Sequence, residues 1–124
     1  MRYLIGLILF LSTLTAQVTD KNFKDEVGEG FTVIVFTSEW QEKDLDESVL
    51  KGVAGFEDAQ ILTVKSADLK KVVKKLRIRN YPSIALFHDG RKNKVWKADM
   101  DGEVDCSASD IRKAIENVMA GDAF

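Results

Sequence analysis

The chain has 124 residues, is 45% hydrophobic and 31% charged, and sets 18 basic against 20 acidic residues for a formal net charge of -2. That length suits one domain with a real core rather than two, and the balance excludes both a disordered chain and the basic excess of a nucleic-acid binder. A single cysteine, Cys106, rules out an internal disulfide, and a single histidine, His88, leaves a zinc site or a histidine-based triad without a second member.

The chain opens MRYLIGLILFLSTLTAQ: one basic residue, Arg2, then an apolar run from Tyr3 to Phe10 continued by Leu11 and Leu14, then small residues ending at Ala16. This is the layout of a secretory signal peptide, and the run is shorter than the roughly 20 residues that cross a bilayer as a helix. Residues 1–16 are therefore expected to be cleaved, leaving a domain of residues 17–124 with no membrane span and a net charge of -3 after loss of Arg2. Export fits a bacterial periplasm, secretion or the lumen of the endoplasmic reticulum, although the final AGDAF carries no retention signal of the usual kind.

In VTDKNFKDEV, Thr19 is expected to cap a short helix whose Phe23 and Val27 share a face. FTVIVFT, residues 31–37, is continuously apolar and β-branched, as in a central strand covered on both faces. Ser38 with Gln41 three residues on fits a capping box, and Glu42, Asp44, Asp46 and Glu47 load the first turns with negative charge. The sequence thus predicts a helix with Leu45, Val49, Val53 and Phe56 as its buried stripe, weakened by Gly52 and Gly55.

QILTVKS, residues 60–66, predicts a second strand. DLKKVVKKL sets Leu69, Val72, Val73 and Leu76 against Lys70, Lys71, Lys74 and Lys75, an amphipathic helix with a solvated basic face. After a turn at Pro82, residues 83–88 form a strand, Asp89 and Gly90 a tight turn, and the segment through Val95 and Trp96 its antiparallel partner. His88 is expected to cap this hairpin near Asp89, and Trp96 to be a packed or half-covered strand residue. SASDIRKAIENVM predicts a capped helix with Ile111, Ile115, Val118 and Met119 facing inward and a frayed tail beyond. The order gives an α/β three-layer sandwich: a mixed four-stranded sheet with helices on both faces.

This order, together with VTDKNF, VIVFTSEW, IRNYPSIALFHDG and the terminal amphipathic helix, resembles the thioredoxin family over nearly the whole predicted mature chain. The most specific points are Trp40 and Pro82. Family members typically read Trp-Cys-Gly-Pro-Cys at the first and carry a cis-proline at the second; here Trp40 is followed by Gln41, Glu42, Lys43 and Asp44. The resemblance therefore implies a scaffold without its reacting sulfurs, since neither an amide nor a carboxylate exchanges with a disulfide. Val35 stands where the family commonly buries an aspartate.

Two functions of different class are open to such a chain. In the first, it is a redox-inactive module that binds an extended protein or peptide segment in a groove formed by Trp40, Gln41, Glu42, Lys43, Tyr81, Pro82 and Ser83, against the bland alternative that Trp40 and Pro82 serve the fold alone. In the second it is a thiol oxidoreductase-related enzyme using Cys106, or a hydrolase-like site of Glu42, Asp44 and Asp46. Helix capping already accounts for those carboxylates, and Cys106 stands between opposing effects: the start of the last helix lowers a thiol pKa, while Asp99, Asp101, Glu103, Asp105 and Asp110 nearby in sequence raise it. A calcium loop centred on Gly102 fails because Lys97 and Ala108 fall at its end ligand places. No metal, cofactor or nucleic-acid partner is expected.

Overall fold

The structure, a computed structural model, describes residues 18–41 and 44–122. Its order is α1 (Phe23–Glu26), β1 (Phe31–Thr37), a 3-10 helix (Glu47–Val53), β2 (Ala59–Lys65), a 3-10 turn (Ser66–Asp68), α2 (Lys70–Leu76), β3 (Ser83–His88), β4 (Arg91–Trp96) and α3 (Ala108–Asp122). The strands lie in the order β2-β1-β3-β4, with β1 parallel to β2 and antiparallel to β3, and β3 antiparallel to β4. No helix among the described residues is long and apolar enough to cross a membrane, and residues 1–16 lie outside them.

The apolar run of β1 reflects two cores, because successive side chains of a strand point to opposite faces. Ile34 and Phe36 join Ala85 and Phe87 of β3 under α1 and α2, where Phe23, Val27, Leu69 and Leu76 complete the first core. Phe31 and Val33 join Ile84, Leu86 and Trp96 under the 3-10 helix and α3, with Val49, Ile111 and Ile115. Val35, on that second face, is buried. The β3–β4 turn has φ of 49° at Asp89 and 85° at Gly90, the left-handed pair that a two-residue hairpin turn requires. Asp89 also fixes the start of β1, donating its N–H to the Gly30 carbonyl (2.9 Å) and accepting from the Gly30 N–H (2.8 Å). His88 stacks on Phe31 at 4.4 Å and approaches Asp89 at 3.4 Å.

Four expectations need correction. No helix starts at Ser38; the Gln41 side chain accepts the Ser38 N–H (3.0 Å) and the Ser38 hydroxyl accepts the Trp40 N–H (3.2 Å), closing a turn instead. The helical element begins at Glu47 behind its own cap, Asp46, which accepts from the Ser48 hydroxyl and N–H; those bonds hold its carboxyl below the ordinary range. The β-branched Val49 and Val53 and the interior Gly52 lower the α-helical propensity of this seven-residue element, which is a 3-10 helix. Gly52 has a second reason: a Cβ there would collide with the Ala108 carbonyl oxygen, so glycine lets this element approach α3.

Thr19 does not cap α1; its N–H donates to the Asn22 side chain (2.7 Å), and α1 is a single turn. The third correction concerns α3, which runs on to Asp122 through residues expected to fray. Fourth, Met119 is 51% exposed rather than inward-facing. The predicted α3 cap is present: the Ser107 N–H donates to Asp110 (2.9 Å) and the Asp110 N–H to the Ser107 hydroxyl (3.1 Å).

Candidate functional site

Three segments meet beyond the end of β1. The first is the Ser38–Gln41 turn, whose hydrogen bonds satisfy its backbone but leave the Trp40 side chain unpacked, with 87% of the residue exposed. An indole in water forfeits the large apolar burial that normally accounts for tryptophan. Glu42 and Lys43 lie outside the described residues.

The second segment leads into β3 and is the reverse case. The Tyr81–Pro82 peptide bond is cis. Pro82 and Ser83 are fully buried, so these two expected groove residues form the wall's foundation and not its surface. The Ser83 hydroxyl donates to the Asn80 carbonyl (2.7 Å) and accepts the Ala98 N–H (2.9 Å). Tyr81, half-buried, is the member of this turn that reaches the surface.

The third segment, residues 98–104, carries no groove signal in the sequence. Ala98 and Val104 form an isolated bridge, and the Asp99 carboxylate accepts the N–H groups of Asp101 (2.9 Å) and Glu103 (3.0 Å). The carboxylate-rich DMDGEVD is thus an Asp-organised turn, and among the described residues no cluster of His, Cys, Asp and Glu is arranged to hold a metal. Gly102 has φ of 80° and backs onto the cis turn: a Cβ there would lie 3.3 Å from the Tyr81 carbonyl oxygen. At the tip Met100 is 93% exposed.

Together these segments enclose a cleft of about 340 Å³ lined by Trp40, Gln41, Tyr81 and Met100, with Arg79 and Asp101 bringing opposite charges to it. On the other side of Trp40 lies a second cleft of about 340 Å³, against Glu39, Lys65 and Ser66. The indole therefore stands as a free ridge between two depressions. The lining offers hydrogen bonds, apolar surface and both signs of charge, but no thiol and no histidine.

Cys106 lines neither cleft. It is packed with Phe31, Val33, Trp96 and Ile111 in the second core, its Sγ 3.8 Å from the Ser107 carbonyl oxygen. Burial pushes its thiol up to about 12, with Asp110 adding to the shift and Lys94 opposing it. A thiol so placed supplies almost no thiolate near neutral pH. The sequence does not disclose Asp99, Met100, Asp101 or Gly102 as cleft residues, because the fold-back of residues 98–104 brings them there, whereas Arg79 and Asn80 lie directly before Tyr81 in the quoted turn segment.

No protein-family model matches the sequence. Solved structures do match its fold. The thioredoxin from Trypanosoma brucei brucei superposes with a TM-score of 0.59 at 16% identity, over 85% of this chain and 92% of the other. A structure describing the thiol resolving mechanism in yeast mitochondrial 1-Cys peroxiredoxin via glutathione/thioredoxin systems gives 0.59 at 15% identity, over 82% and 93%. The first two thioredoxin domains of Naumovozyma dairenensis Eps1p match at 0.53 and 17% identity over 68% of this chain, which spans only 35% of that two-domain structure. The chain has a thioredoxin-like fold, the mixed four-stranded α/β sandwich expected from its sequence.

Proposed function

We propose that the chain is a redox-inactive thioredoxin-like binding module, exported by way of residues 1–16, that takes an extended protein or peptide segment across the cleft between Trp40 and Met100. The observation that carries this reading is a pair of bare apolar side chains facing a cleft whose lining holds no thiol. Exposed aromatic anchors beside a depression are where association free energy concentrates, because water leaves both surfaces when the partner docks. Tyr81 contributes a half-buried ring to the same lining. Pro82 and Ser83 act by positioning Tyr81, and Gln41 by holding the Trp40 turn closed.

The buried, protonated thiol of Cys106 supports the non-catalytic half of the reading. Two experiments test it. Capture of a peptide library by the full chain is expected to weaken by about tenfold or more in Trp40→Ala and in Met100→Ala, with circular dichroism unchanged; equal capture by both variants removes the cleft from consideration. Dithiothreitol-driven reduction of insulin is expected to proceed no faster than without protein, and activity lost in Cys106→Ser would restore an oxidoreductase. Export is checked by expressing the chain with and without residues 1–16 and sequencing the N-terminus of the product, expected at Gln17.

A further inference from the structure

The lysines of α2 make a solvated face in the sequence, and the structure gives them a second context. On the first face of the sheet α1 is one turn and α2 two, too short to roof the sheet out to β4. The gap is a depression of about 580 Å³ whose floor is Phe23, Val27, Leu76 and Phe87, with the two rings edge to face at 5.2 Å. Its rim is basic: Lys24 from α1, Lys71 and Lys75 from α2, and Arg91 and Lys92 from β4. The one carboxylate in the lining, Asp20, is committed to capping α2, accepting the N–H groups of Lys71 and Val72 at 3.2 Å each. Five cations and one carboxylate therefore surround an apolar floor, an excess of four positive charges (five minus one) in the lining.

The geometry points to this depression as a binding site for a small anionic amphiphile, a carboxylate head on a short apolar tail, the tail lying on the phenylalanine floor and the head held by the α2 and β4 cations. Charge complementarity fixes the sign of the occupant. Its size follows from the volume, which falls in the roughly 300–1,000 Å³ range of small-ligand pockets. A stand-alone protein partner needs an interface of roughly 1,000 Å² or more. A membrane surface needs apolar side chains projecting outward, whereas these are recessed below their lysines. The chain's own apolar residues 3–11 carry no acid and do not match the rim. Lysine suits a head group without fixed geometry, since its ammonium is a mobile point charge.

The test is an NMR titration of the full 15N-labelled chain with decanoate kept below its micelle concentration, with decan-1-ol and acetate as tail-only and head-only controls. Saturable shifts are expected at Val27, Val72 and Phe87, weakened at least about tenfold in Lys71→Glu/Lys75→Glu and also in Arg91→Glu at low salt. Arg91→Glu keeps the test alive if the double variant does not fold. Four results overturn the proposal: no shifts, as when residues 3–11 already occupy the site; shifts only around Trp40 and Met100; equal affinity in the charge-reversed variants; or binding by decan-1-ol or acetate matching decanoate.

Discussion

The two walls of the Trp40 cleft are built in opposite ways. The Tyr81 wall rests on a fully buried Pro82 and on a Ser83 hydroxyl bonded to two backbone groups, with the Gly102 loop pressed against it. The Trp40 wall is a short turn held by two local bonds, with its largest side chain in water. One wall is part of the fold and the other is presented by it. A fully buried residue such as Pro82 thus stands behind one wall of a cleft whose other wall carries a side chain almost wholly in water. The contrast is quantitative, and variants on each wall test it.

The largest effect is expected on the pinned wall. Ser83→Ala strips the buried Ala98 N–H and the part-buried Asn80 carbonyl of their partner, and leaving a buried donor unpaired costs roughly 1–3 kcal/mol. Chemical denaturation should show a loss of about 2 kcal/mol with an unchanged slope. A loss below about 0.5 kcal/mol would mean that the wall is held by something other than this hydroxyl. Next comes Gly102→Ala, which puts a Cβ at a left-handed φ of 80° and 3.3 Å from the Tyr81 carbonyl oxygen. It should cost about 1 kcal/mol and shift the Tyr81 and Met100 resonances together, since both segments must move apart.

Much of this architecture is legible in the sequence, for reasons that can be named. The β-strands, the Asp89-Gly90 hairpin turn and the Ser107–Asp110 cap are local: periodicity, a positive-φ dipeptide and a four-residue box each specify themselves. The failures share the opposite property. Asp20 caps α2 across 51 residues of sequence, so neither the loss of the Thr19 cap nor the shortness of α1 is visible locally. Ser38 and Gln41 do make capping-box contacts, but these close a turn, and the helical element starts later behind a second cap, Asp46. Of the candidate site, Trp40, Gln41 and Tyr81 are found from their positions in a resembling pattern. The burial of Pro82 and Ser83 and the arrival of Met100 depend on how residues 98–104 fold back, which no spacing encodes.

A smaller contrast lies between Met100, the bare tip of the 98–104 loop, and the buried Cys106 just beyond it. In the folded chain the thiol is held up to about 12, chiefly by burial, against an ordinary value of 9.0. Between those values the unfolded chain has released its proton while the folded chain retains it, so stability attributable to this group is complete below pH 9 and is lost as pH rises toward 12. The difference in stability between the native chain and Cys106→Ser should therefore be flat from pH 6 to about 8 and slope downward above pH 9. Alkylation by iodoacetamide at pH 8 should be slow until guanidinium exposes the thiol; fast labelling of the folded protein would place Cys106 at the surface. At the acid end, Asp110 is held below its ordinary range by the Ser107 N–H and hydroxyl. That stability is present above the ordinary carboxyl range and is lost as pH falls through the depressed value, so Asp110→Asn should flatten the acid limb.

The smallest effect on stability is expected where the effect on binding is largest. Trp40 has 87% of its surface in water, so truncation opens no cavity, and the hydrogen bond donated by its backbone N–H to the Ser38 hydroxyl does not depend on the indole. Trp40→Ala should therefore stay within about 0.5 kcal/mol of the native chain, the range usual for surface substitutions. Ser83→Ala, tested for capture at a temperature where it remains folded, should lose affinity only in so far as Tyr81 moves. If Trp40→Ala instead unfolds the chain, the indole is packed in solution, the two walls are built alike, and the cleft is a feature of the fold. If it leaves stability intact and abolishes capture while Ser83→Ala does the reverse, the division of labour between the walls is established. Keeping a large aromatic side chain in water is then explained by what it binds, because nothing in the folding of the chain requires it there.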